Sequence, residues 1–95
     1  MFRTDLFKDR TIVVTGGGTG LGRAMALRLA ELGANLVLTS RSLEHLEPTV
    51  RELEAKGARA IAVAGDVRKL DDMEKVAEAT ISRFGSLYGL ITQIG

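Results

Sequence analysis

The sequence predicts an α/β fold built on a parallel sheet, and three observations carry that expectation. Apolar, β-branched runs alternate with amphipathic ones along all 95 residues. The connections between them are short. The first strand breaks at glycines, Thr15-Gly16-Gly17-Gly18-Thr19-Gly20-Leu21-Gly22, and runs straight into a helix. Strand–helix alternation with short links implies parallel strands joined by right-handed crossovers. Four strands in the order 3-2-1-4 and three helices are expected, with ligand at the carboxyl ends of the strands beside the switch between strands one and four.

The first strand is Thr11 to Thr15. A helix follows from about Leu21 to Leu32, closed by Gly33 as a left-handed cap. Arg23, Arg28 and Glu31 fall on one side of it, and its Ala, Leu and Met content predicts packing against the sheet. Asn35 to Thr39 reads as the second strand. Ser42 then reads as the N-cap of a helix with Leu43, Leu46, Val50 and Leu53 on one face, ending at Gly57. Pro48 inside it predicts either a kink or a loose first turn with the regular helix starting near Pro48.

Ala60 to Ala64 is the third strand, uncharged like a parallel strand buried on both faces. In the next helix Met73, Val76, Ala77, Thr80, Ile81 and Phe84 repeat at three and four, and Gly85 closes it. Asp72, Glu74, Lys75, Glu78 and Arg83 are expected to point away. Leu87 to Ile94 gives the fourth strand. The chain has no internal repeat or low-complexity segment and reads as one domain over residues 1–95.

Composition excludes several function classes. Apolar residues make up 45% and charged residues 26%, near the average for soluble domains. A net charge of +1 and so few aromatic residues give no basis for nucleic-acid binding. Without cysteine there is no disulfide, thiol nucleophile or zinc finger, and the single histidine, His45, cannot build a metal cluster. The N-terminus does not read as a signal peptide and no run is long enough to span a membrane, so a cytoplasmic protein is expected.

The glycine run is suited to holding phosphate. Glycines let the backbone turn tightly and approach a ligand, and the helix start adds unpaired N–H groups and the positive end of its dipole. The spacing Thr15-Gly16-x-x-x-Gly20-x-Gly22 resembles the cofactor fingerprint of the short-chain dehydrogenase/reductase family. Ser40-Arg41 after strand two, Asp66-Val67 after strand three and Arg83-Phe84-Gly85 after the third helix stand where that family would have them. The resemblance covers nearly the whole chain and implies the cofactor-binding, Rossmann-type part of the fold.

By that resemblance Gly16, Gly18, Thr19, Gly20, Leu21 and Gly22 would form the turn under a dinucleotide pyrophosphate. Many NAD-binding members carry an acidic residue at the end of strand two, whereas this chain has Ser40 and Arg41 and no carboxylate until Glu44. A guanidinium beside a hydroxyl suits a 2′-phosphate, which favours NADP(H) over NAD(H). Asp66 resembles the aspartate that hydrogen-bonds the adenine amino group, with Val67 against the ring. The same residues are also compatible with a bare glycine turn, a solvated Arg41 and a polar strand end.

The resemblance implies hydride transfer by a Tyr-x-x-x-Lys pair with an upstream serine, and here the sequence departs from it. The one tyrosine, Tyr88, is followed four places on by Thr92, so no such pair occurs. The family's Asn-Asn-Ala-Gly after strand four is replaced by Thr92-Gln93-Ile94-Gly95. The expectation is a truncated cofactor-binding part, inactive alone, whose full-length relatives act on a carbonyl, alcohol or enoyl group. An exposed fourth strand would let it self-associate. A non-catalytic nucleotide-binding or regulatory module, or a remnant without function, are the alternatives.

Overall fold

The structure, a computed structural model, describes residues 6–16 and 20–91. Its elements run β1 (Thr11–Thr15), α1 (Gly20–Glu31), β2 (Asn35–Ser40), a single 3₁₀ turn (Leu43–His45), α2 (Glu47–Ala55), β3 (Ala60–Ala64), α3 (Leu70–Phe84) and β4 (Gly89–Ile91). The strands form one parallel sheet in the order β3-β2-β1-β4. Thr11 pairs with Asn35 and Thr15 with Thr39, so β1 and β2 end together at the same rim.

Alternation along the strands divides the core in two. Ile12, Val14, Leu36 and Leu38 point to one face, where Ala26 of α1 and Leu46 and Leu53 around α2 cover them. Val13 and Val37 point to the other and meet Val76 of α3, with Ile61, Val63 and Phe84 packed around. Two helices therefore cover one face and a single helix the other. Across the first face Arg23 Nη2 donates to both carboxylate oxygens of Glu52, at 2.5 and 2.6 Å, joining α1 to α2.

Helix ends follow local chemistry. Gly33 and Gly85 adopt φ of 95° and 87°, the left-handed closure that their lack of a Cβ permits. Of the two outcomes predicted for Pro48, the loose first turn is the one formed. The 3₁₀ turn comes first, and the α-helix starts with Pro48 in its opening positions. There its missing N–H would have lacked an intrahelical partner anyway.

Several expectations need correction. Ser42 occupies the N-cap position of the 3₁₀ turn, but its side chain makes no capping bond. Strand β3 is not buried on both faces: only Ala60 is buried and Ala64 is exposed. Among the described residues it has one strand neighbour, β2, and so gains cover from one side only. Leu43 and Ile81 are exposed despite their helical spacing. The fourth strand begins at Gly89 rather than Leu87, and the part of it expected at Thr92 to Ile94 lies outside the described residues.

Candidate functional site

Three strand ends lie together at the carboxyl rim of the sheet, and hydrogen bonds to β2 continue one residue past β1 and β3. Gly16 N donates to Thr39 O and Gly65 N to Ser40 O, both at 2.8 Å. Gly16 and Gly65, the residues just past β1 and β3, are thus both tied to the end of β2. Gly16 turns with φ of 70°, and Gly20 opens α1 with φ of 57°. A Cβ on Gly20 would meet no described atom within 4 Å, so glycine is favoured there by the backbone conformation. Gly22 is buried within α1, whereas Leu21 is exposed. Gly18 and Thr19 lie outside the described residues.

At the end of β2 the Ser40 hydroxyl donates to Ser42 O at 2.8 Å and accepts from Ser42 N at 3.2 Å. Its one proton is committed to the loop, so Ser40 staples the turn that carries Arg41. Arg41 is exposed and lines an open depression of about 330 Å³ with Ala64, Gly65, Asp66, Lys69 and Asp72. Gly65 is the one glycine in this lining. A Cβ there would lie 3.1 Å from Val76 Cγ2 and 3.2 Å from Thr39 Oγ1, so a side chain at this position would require these two side chains to shift by a few tenths of an ångström.

Asp66 is buried, and its carboxylate is held by one neighbour. Oδ1 accepts from the Arg68 backbone N–H at 2.9 Å and from Nε at 3.1 Å, and Oδ2 accepts from Nη2 at 3.0 Å. The Arg68 side-chain bonds, then its backbone N–H, hold the carboxyl at about 2, well below the ordinary 3.8. Arg41 adds a smaller attraction of the same sign. Asp66 N donates to Asp72 Oδ2 at 2.9 Å, which turns Asp72 inward from the solvent-facing position expected of it. Val67 lies beside Asp66, 40% exposed at the rim.

Arg68 and Asp72 are the residues that sequence reasoning missed. The signal was there in part: an aspartate two residues before a backbone donor makes an Asx turn, and an acid in the first turn of a helix can reach back to the preceding loop. Tyr88 lies elsewhere. It enters β4 at the opposite end of the sheet, donates its N–H to Thr11 O, and sits under the Arg10 guanidinium, 4.7 Å from the ring centroid.

A parallel sheet with a glycine turn, a stapled arginine loop and a buried carboxylate at one rim defines a nucleotide-binding α/β fold. The chain belongs to the short-chain dehydrogenase family, NAD(P)-binding oxidoreductases, whose family model matches residues 10–95. It is 40% identical over 88 residues to an uncharacterized oxidoreductase of Listeria monocytogenes, covering 93% of this chain and 36% of that protein. Against the peroxisomal 2,4-dienoyl-CoA reductase of Arabidopsis thaliana it is 35% identical over 86 residues, covering 90% and 29%. The chain thus spans about a third of the length of the curated relatives it matches. Among solved structures, a Burkholderia phymatum short-chain dehydrogenase/reductase in complex with NAD superposes with a TM-score of 0.85 at 38% identity, over 95% of this chain and 31% of that one. A metagenomic short-chain oxidoreductase in complex with NADP gives 0.82 at 34% identity, over 88% and 38%.

Proposed function

We propose that this chain is the cofactor-binding part of a short-chain dehydrogenase that prefers NADP(H) to NAD(H). The glycine turn from Gly16 to Gly22 lies under the pyrophosphate, Arg41 pairs with the 2′-phosphate, Asp66 accepts from the adenine amino group and Val67 packs on the ring. Ser40 serves the phosphate through the Arg41 loop it staples. The observation that carries the reading is Arg41 itself, an exposed guanidinium on the same depression as Asp66. The first carboxylate after β2 in sequence is Glu44. Because the related structures hold NAD in one case and NADP in the other, the preference rests on Arg41.

The test is a titration of the chain with NADP(H) and NAD(H), repeated on Arg41→Asp. NADP(H) should bind the wild type at least about tenfold more tightly, the worth of a hydrogen-bonded charge pair, and Arg41→Asp should remove the difference. Equal affinities in the wild type would refute the preference.

Hydride transfer between NADPH and a carbonyl, alcohol or enoyl group is the reaction proposed for the whole protein, and the likeness to a dienoyl-CoA reductase supports the enoyl option. No turnover is expected from these residues alone, since the chain contains no Tyr-x-x-x-Lys. Among the described residues β4 pairs only with β1, and Leu90 on it is 51% exposed. Such an edge offers unpaired backbone groups to a second copy. Sedimentation should therefore show the isolated chain self-associating with concentration; a monomer at all concentrations would count against this.

A further inference from the structure

We propose that Arg23 and Glu52 are positioning residues: their ion pair holds the glycine turn in the shape that takes a pyrophosphate. The inference rests on the reading of that turn as the pyrophosphate seat. Five of the seven residues from Gly16 to Gly22 are glycine. Glycine loses more conformational freedom on ordering than any other residue, so a turn of this composition depends on what anchors its ends. At the first end, Gly16 N donates to Thr39 O of β2 at 2.8 Å. At the other, Arg23 Nη2 stands between the two carboxylate oxygens of Glu52, at 2.5 and 2.6 Å. The two anchors lie on β2 and α2, the elements that carry Arg41 between them.

The start of α1 supplies little rigidity by itself. Two of its first three residues are Gly20 and Gly22, the poorest helix formers after proline, and its first turn has no acidic residue to meet the dipole. Among the described residues of α1, Ala26 is the first that packs into the core. Arg23 therefore ties down the stretch that core packing does not reach. Glu52 stands on a fixed base, since its neighbour Leu53 is fully buried in that same core. The pair is only partly open to solvent, with side chains 44% and 32% exposed, so salt screens it less than a fully exposed pair. A turn ordered beforehand binds more tightly than one its ligand must order.

The experiment compares NADP⁺ with adenosine 2′-monophosphate, which lacks the pyrophosphate, by NMR titration of the full chain. Wild type, Arg23→Met and Glu52→Ala are compared, each checked for a cooperative melt. The wild type should favour NADP⁺. Both variants should cut that preference about threefold or more, the scale of one part-exposed ion pair, while binding adenosine 2′-monophosphate as before. Direct attraction of Arg23 for phosphate predicts opposite signs instead, with NADP⁺ weaker in Arg23→Met and tighter in Glu52→Ala. That outcome overturns the positioning role. So does an unchanged preference in either variant, and a lower melting temperature beside it would mark the pair as structural only. If the wild type holds NADP⁺ no more tightly than adenosine 2′-monophosphate, the pyrophosphate reading itself fails, and the inference with it.

Discussion

Asp66 stays ionised although only 8% exposed, because three donors from Arg68 converge on its carboxylate. That has a measurable signature. Its folded pKa, about 2, lies below the ordinary 3.8, so between those values the unfolded chain binds more protons than the folded one. The stabilisation is full above 3.8 and is lost as pH falls towards about 2. Melting temperatures of wild type and Asp66→Asn should differ most above about pH 5 and converge near the lower limit. A difference constant across that window would show that Asp66 is not paired this way. The charged residues at the rim, Arg41 and Lys69 against Asp66 and Asp72, balance one another. An added phosphate would find Arg41 exposed and, among the described residues, with no carboxylate at hydrogen-bond distance.

At the scale of elements, glycines of similar conformation carry different constraints. Gly33 closes α1 with φ of 95°, and a Cβ on it would stand 3.1 Å from Lys8 Cα and 3.2 Å from Lys8 N. Backbone atoms cannot step aside as a flexible side chain can. Gly57 has φ of 88°, and a Cβ on it would meet no described atom within 4 Å. Gly57→Ala should cost about 1–2 kcal/mol, the conformational penalty alone, and Gly33→Ala distinctly more. Urea unfolding of both variants decides it, and equal losses would mean that the close approach to Lys8 carries no energy.

The element plan was legible because its signals are local. Period-two and period-three-to-four patterns, a proline near a helix start and glycines at helix ends each act within a few residues. What escaped depends on neighbours that no window contains. The exposure of β3 follows from its having one strand partner, and the inward turn of Asp72 from the nearness of the Asp66 N–H. In the site, Arg41 and Asp66 were legible as residue types following strands. The Ser40 staple and the Arg68 fork needed the loop geometry.

For the molecule as a whole, sheet order decides where function can sit. Placing β1 between β2 and β4 brings the glycine turn, the Arg41 loop and Asp66 to one rim. The opposite rim holds Tyr88, and a second depression of about 200 Å³ is lined by Asp9, Gly33, Asn35, Lys56 and Arg59 among others. Among the described residues no helix is long and apolar enough to cross a membrane. In the function proposed, nucleotide binds at the carboxyl rim alone. The most direct test is to titrate isotope-labelled chain with NADP⁺ and map the amide shifts. Saturable shifts at Gly16, Gly20, Arg41 and Gly65 to Val67, with Tyr88, Asn35 and Arg59 unmoved, are the predicted result. Shifts centred on the opposite rim, or none that saturate at millimolar ligand, would contradict it.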